Sequence, residues 1–332
     1  MIERKGPPPL GPDSQILHLN GIPSRFREGA AGDCFWQEPQ GSWRPVQDDG
    51  LYAVEEQCVA LHQYFAAAIF GHVGRYYALL PIVPQFLDQA GLNSESAISR
   101  EDFEKALVKL AAFPELNRFL YLYDSRVLVS AIQECTKEVS QLTGEFYRIF
   151  NLEPFFTPGI PLEDGTRWST SPTVTMLFST LGFLFIRLHS LLDYVAKLAC
   201  EVERMPSDFS KYPKLASSNF LFGDRKRLKL NKMPGTLFEP CDEVAEVELI
   251  RNLLIHDGLL DDMPKAYEVI ECGQAIERFV LMPDRKNGQF ERFKNRHRFY
   301  GREDKINLRL TTLVRGFQAR QVETLRAIRT LF

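Results

Sequence analysis

Beyond residue 50, apolar residues recur at three- and four-residue spacing over most of the chain, which predicts a mainly helical protein. Tyr52, Val54, Cys58, Leu61, Tyr64 and Phe65 predict a helix opening near Leu51, and Pro81 and Pro84 interrupt the pattern beyond it. Ser99 as N-cap, with Asp102 three positions on, predicts the next start, carried forward by Phe103, Leu107, Leu110 and Ala111. After Pro114 the positions Val127, Ile132, Val139, Leu142 and Phe146 predict a helix over 120–150, with Tyr121, Tyr123 and Tyr147 in the core. Thr173 to Glu203 reads as one long helix, apolar almost all round in its first half and amphipathic in its second, hence central in a bundle. Its apolar run from Val174 to Ile186, ended by Arg187, is too short to span a bilayer. A last helix is expected over Thr311 to Leu331, with Leu313, Phe317, Val322, Leu325 and Ile328 inward and Arg315, Arg320, Arg326 and Arg329 on a solvated face.

Three stretches break this period. Residues 1–50 are rich in Pro and Gly around Trp36 and Trp43, and read as an extended arm laid on the body through its aromatics. Residues 151–172, with Pro154, Pro158, Pro161 and Pro172, read as a linker and a domain boundary. Around 265–310 the pattern alternates. Tyr267 to Cys272 and Ile276 to Leu281, split by Gly273-Gln274, predict a hairpin. Asn287-Gly288 predicts a tight turn, and Phe290 to Phe293 and Ile306 to Leu310 are candidate further strands. The expected organisation is an arm over 1–50, an all-α region over 51–155, and a second helical domain over 165–332 carrying a small antiparallel β appendage at about 265–310.

At 332 residues there is room for two domains, and 45% hydrophobic with 25% charged residues describes an ordinary soluble globular chain. A net charge of −3 argues against capture of nucleic acid by bulk charge, so any such site has to come from local patches. The six Cys form no Cys-x-x-Cys pair, which argues against zinc and redox motifs and suits a reducing cytosol. Met1 to Pro7 lack the apolar core of a signal peptide. A cytoplasmic protein with no membrane partner is expected.

The stretch with most chemistry is Glu246 to Gly258. Val247, Ile250, Leu253 and Leu254 give it a buried face, Glu239-Pro240 with Asp242 and Glu243 suit its start, and Asp257-Gly258 suits its stop. Glu248, Asn252 and His256 form a polar row at four-residue spacing, with Arg251 beside it. Arg251 and His256 stand five positions apart, about 140° around an ideal helix. They share a face only if the Arg stem reaches round or the last turn loosens. A guanidinium fork takes two phosphate oxygens, and an imidazole carries a proton near neutral pH.

Arg251-Asn252-Leu253-Leu254-Ile255-His256 resembles the R-x(4–6)-H signature of HEPN domains, in which Asn directly after the Arg is common. The resemblance implies a HEPN-like helical bundle that forms a homodimer through the motif helices, two motifs lining one groove, and RNA cut by 2′-hydroxyl attack without metal or cofactor. Several such proteins are toxins or antiviral defence effectors, so the resemblance also offers an antitoxin or defence protein as a partner. Leu192-Asp193-Tyr194 also looks like a family feature, with Asp193 placed to hold Arg251; the other reading pairs Asp193 with Lys197 on the helix surface. His189 is a further candidate for the groove. A non-catalytic HEPN module, binding a protein, nucleic acid or nucleotide as scaffold or sensor, is the alternative. A Tyr two residues after the His, modified by a partner transferase in some members, is replaced here by Gly258. A second Arg-x4-His match, Arg292 to His297, falls in a charged segment reading as loop or strand, and is set aside.

Two basic stretches are candidate RNA contacts. Arg225, Lys226, Arg227 and Lys229 read either as a phosphate-tracking loop or as a solvated linker. Lys294, Arg296, Arg298 and Arg302 interleave with Phe299 and Tyr300, which suits single-stranded nucleic acid or, equally, a charged strand edge. His62 and His72 have no carboxylate or Cys to complete a metal site, and no Gly-rich phosphate loop or His-Glu-x-x-His motif is present.

Overall fold

A computed structural model describes residues 14–26, 33–47, 50–113, 115–157, 163–258 and 260–332. Met1 to Pro7 and the breaks expected at Pro114, Pro158 and Pro161 lie outside the described residues. In chain order come β1 (Gln15–His18), β2 (Ser24–Arg25), β3 (Cys34–Gln37), β4 (Trp43–Pro45), α1 (Leu51–Phe70), α2 (Val73–Leu79), α3 (Arg100–Lys109), α4 (Leu116–Leu152), β5 (Gly165–Ser169), α5 (Pro172–Glu203) and α6 (Asp242–Asn252). A π turn (Leu253–Asp257) comes next, then β6 (Ala266–Glu271), β7 (Gln274–Phe279), β8 (Leu281–Met282), β9 (Arg285–Lys286), β10 (Gln289–Phe290), β11 (Asp304–Lys305) and α7 (Ile306–Arg329). The protein is mainly helical with small antiparallel sheets.

Two compact units emerge, one of Met1–Leu51, Lys137–His189 and Pro240–Ala319, the other of Tyr52–Thr136, Ser190–Glu239 and Arg320–Phe332. This division differs from the expected one at 155–165, because α4, α5 and α7 each give one portion to either unit. Among the described residues α5 is the one helix long and apolar enough to cross a membrane by length and composition; it also carries Arg187, Asp193, Lys197 and Glu201.

In the first unit the expected arm is instead, over its described part, an antiparallel sheet of order β2-β1-β3-β4. Alternation sends Ile16, Cys34 and Trp36 to one side, where Phe26 and Val46 pack on them. Leu17 and Phe35 go to the other, and Phe35 stacks on Tyr147 of α4 with centroids 4.4 Å apart. Gly21, Pro23, Pro39 and Gly41 sit between the strands, and they obscure the short runs Gln15–His18 and Cys34–Gln37. Close contact is possible because residue 144 is glycine: a Cβ there would lie 2.0 Å from the Trp43 carbonyl oxygen.

The expected β hairpin is present as β6 and β7, and β5 joins its edge in the order β5-β6-β7. The third strand thus comes from the stretch read as linker. Glu268, 3% exposed at the centre of this sheet, takes Arg167 Nε at 3.0 Å from one neighbouring strand and Arg278 Nε at 3.0 Å from the other. Arg278 Nη1 also donates to the Phe150 and Asn151 carbonyls at the end of α4. Asn287-Gly288, at φ 53° and 72°, joins β9 to β10 as its turn chemistry predicts. Ile306 to Leu310 is not a strand. It opens α7, since Ile306, Leu310, Leu313, Val314 and Phe317 continue one buried helical stripe.

The second unit holds α1 to α3, the first part of α4, the second half of α5 and the end of α7. Ser99 caps α3 by accepting the Asp102 N–H at 3.1 Å, as expected. Tyr121 and Tyr123 are buried. The long connection over 207–239 makes little regular structure, so its backbone N–H groups need other acceptors. Carboxylates of α5 supply them: Glu201 accepts Ser217 N–H at 2.9 Å, Asp193 accepts Phe222 N–H at 2.9 Å and Glu203 accepts Lys229 N–H at 2.8 Å. Arg326 of α7 is on the expected exposed face, but Arg315, Arg320 and Arg329 are tied. Arg315 is bidentate to Asp33 at 3.1 Å in the first unit, while in the second Arg320 reaches Glu239 at 3.0 Å and Arg329 reaches Gln57 at 2.6 Å.

Candidate functional site

Helix α6 buries Val244, Val247 and Ile250, the last two as its spacing predicts, and leaves Glu248 half-buried and Asn252 exposed. Its last turn is wound more loosely, as a π turn over Leu253–Asp257, and Gly258 ends it at φ 91°. An i→i+5 turn rotates less per residue than an α-helix. It therefore reduces the angle between Arg251 and His256, the change that a shared face requires. Arg251 is half-buried, while Asn252 and His256 are exposed. Arg251 Nη1 donates to Asn252 Oδ1 at 3.0 Å, which uses the amide oxygen and orients the guanidinium. The imidazole of His256 has no hydrogen-bond partner among the described residues.

The motif helix is fixed by a group that the sequence pattern did not single out. Glu246, 8% exposed, lies on the buried side of α6 between Arg309, with which it pairs, and Arg285 at 2.7 Å. Asp304 bonds Arg309 at 2.8 Å. A buried carboxylate with two guanidiniums is oriented by both and loses much if either is removed. The only signal for it is register: 246 falls next to 247, inside the apolar stripe.

Apolar side chains are exposed at and near the π turn, beside polar Asn252, His256 and Asp257. Ile255 is 50% exposed. Leu254 packs on Gly182 of α5, where an added Cβ would sit 3.6 Å away, and beside it Phe183 is 49% and Met176 42% exposed.

Of the other candidates, Arg296 and Arg298 lie in the first unit with the motif, and Asp193 and the 225–229 run belong to the second. Asp193 holds the Phe222 N–H. Arg225 folds back, its guanidinium 4.0 Å from the Phe222 ring and bonded to the Phe222 carbonyl at 3.1 Å, and Arg227 pairs with Asp224 at 3.4 Å. Lys226 and Lys229 are exposed, held by buried Leu228 and Leu230. Arg298 is engaged in an ion pair with Asp262. Arg296 is exposed and exchanges backbone hydrogen bonds with Phe293 at 2.7 and 2.9 Å, closing a tight hairpin at Lys294, whose φ is 54°. Arg292, Lys294 and Arg296 have no carboxylate partner among the described residues. Asp284 roots this finger, accepting Gly301 N–H at 2.7 Å and Arg302 N–H at 3.0 Å.

Elsewhere, His62 is held neutral down to about 4, first by burial and then by the nearby Arg126 charge. Its Nδ1 is buried without a hydrogen-bond partner among the described residues. No family model matches the chain, and searches of curated proteins and of solved structures give no match either.

Proposed function

We propose that the protein is a metal-independent endoribonuclease of HEPN type, acting in the cytoplasm as a toxin or defence effector. The observation that carries this reading is the arginine and histidine set at the end of one buried helix, on its accessible side, with the last turn loosened between them. In the proposed reaction His256 takes the proton from the attacking ribose 2′-hydroxyl, or delivers one to the leaving 5′ oxygen. The 2′ oxygen forms its bond to phosphorus as the bond to the 5′ oxygen breaks, leaving a cyclic phosphate and a free 5′-hydroxyl. Arg251 stabilises the extra negative charge on the five-coordinate phosphorus, and Asn252 orients Arg251.

One arginine and one unoriented imidazole make a thin site. Pairing with a second copy through the motif turn doubles the groups and removes water from around them. Exposed Ile255, Phe183 and Met176 support such a pairing as an apolar surface near the motif. The helical bundle of this reading is the first unit's α5, α6 and α7. Asp193 enters it as a positioning residue for the 207–239 connection.

The test is cleavage of 5′-labelled mixed RNA in EDTA. His256→Ala and Arg251→Ala are each expected to lower the rate by about 10²-fold or more. DNA of the same sequence stays intact, because it lacks the 2′-hydroxyl. Equal cleavage by wild type and His256→Ala overturns the assignment. RNA bound but never cut by wild type points to the non-catalytic module instead.

A further inference from the structure

The outward face of the β5-β6-β7 sheet carries an aromatic row that the motif does not use. Trp168, Tyr267 and Phe279 are direct cross-strand neighbours, on the side opposite Arg167, Glu268 and Arg278. Tyr267 and Phe279 stack, with centroids 4.8 Å and planes 2° apart. Lys305 Nζ covers the Phe279 ring at 4.3 Å and closes that end of the stack. Tyr267 stacks on no second ring among the described residues. Its neighbour on β5, Trp168, is 52% exposed, with Lys265 Nζ 5.9 Å from its ring. Sheet stability accounts for the Tyr267–Phe279 pair; it does not account for an indole left half in water on an edge strand.

The basic finger lies against the loop that feeds this sheet. Tyr300 Oη donates to the Leu260 carbonyl at 3.2 Å, and Arg298 pairs with Asp262, a few residues before β6. Arg285, Arg298, Arg302 and Arg309 all have carboxylate partners. Arg292, Lys294 and Arg296 at the fingertip have none among the described residues, and Phe293 beside them is 62% exposed. In a chain of net charge −3 this is a local site for anionic phosphate, on the finger whose base touches the loop leading into β6.

We propose that this face binds single-stranded RNA by stacking. A base lies against the half-exposed indole of Trp168 beside Tyr267, and the sugar-phosphate chain runs to Lys294 and Arg296. Unpaired bases are required, since a duplex hides the faces that stack. The proposal rests on RNA being the substrate and supplies the docking surface that the motif lacks.

The chain has three tryptophans, and Trp36 and Trp43 are 9% and 6% exposed, so accessible indole emission reports Trp168. The experiment uses full-length His256→Ala protein, a short oligouridine and an abasic oligomer of equal length. Oligouridine is expected to quench the emission and protect it from acrylamide, and the abasic oligomer is not. Trp168→Ala is expected to abolish the signal and weaken anisotropy-measured binding roughly tenfold. Lys294→Ala with Arg296→Ala is expected to weaken binding further and flatten its salt dependence. No quenching, equal quenching by the abasic oligomer, or unchanged affinity in Trp168→Ala overturns the proposal. RNA that binds with quenching yet is never cut by wild type upholds this face and removes the nuclease. RNA cut by Trp168→Ala with wild-type KM removes this face and upholds the nuclease.

Discussion

Replacing Glu268 by Gln is the sharpest test of what holds the aromatic row in place. Its carboxylate is 4% exposed and receives Arg167 through Nε at 3.0 Å and Nη2 at 2.5 Å, and Arg278 through Nε at 3.0 Å. Gln keeps the shape, removes the charge and turns a donor toward two guanidiniums. Breaking a buried ion pair by removing one partner costs about 3–5 kcal/mol. Arg278 keeps its carbonyl acceptors and its place 4.7 Å from the Phe155 ring, and Arg167 keeps its place 3.8 Å from Phe156. The expected loss is therefore near the lower end, about 3 kcal/mol. With a urea slope of about 3 kcal/mol per molar, the midpoint moves down by about 1 M. Tryptophan emission is the probe, because Trp36, Trp43 and Trp168 all lie in the same unit as Glu268. The double variant with Arg278→Met should cost less than the sum of the singles, since both remove one network. A midpoint shift below about 0.2 M, corresponding to the roughly 0.5 kcal/mol of a neutral surface substitution, refutes the reasoning.

Gly144→Ala places a methyl group 2.0 Å from the Trp43 carbonyl oxygen, so β4 has to move off α4; a loss of about 3 kcal/mol in urea unfolding is expected, and an unchanged midpoint disproves the close approach. His62 has a folded pKa depressed to about 4 against 6.5 when exposed, so its contribution is present above pH 6.5 and is lost as pH falls toward 4. A loss on the order of 2 kcal/mol between pH 7 and pH 4 is expected from this group, and His62→Leu should flatten that part of the circular-dichroism stability profile. Glu246→Gln should unsettle α6 and lower RNA cleavage at least tenfold with a smaller effect on binding; full activity in a less stable protein would show the network to be purely structural.

Helix spacing alone was enough to place α1, α4, α5 and α6 and the capped start of α3, because an amphipathic period and a cap are local properties of consecutive residues. The same spacing set Glu248, Asn252 and His256 in one polar row, of which Asn252 and His256 are exposed, and posed the 140° problem between Arg251 and His256. The π turn that lessens that angle is tertiary in origin, because Leu253 is buried and Leu254 seats on Gly182, and neither neighbour is written within the motif. The N-terminal sheet and strand β5 were hidden for another reason. Their runs are two to five residues long, and strand identity there depends on a partner distant in sequence, as Trp168 depends on Tyr267. Buried charge was invisible for the same cause: Glu246 and Glu268 look like surface carboxylates until Arg285, Arg309, Arg167 and Arg278 arrive from other elements. Period and capping decide what a segment becomes by itself; long-range pairing alone decides which polar groups can be buried and which aromatic faces stay open.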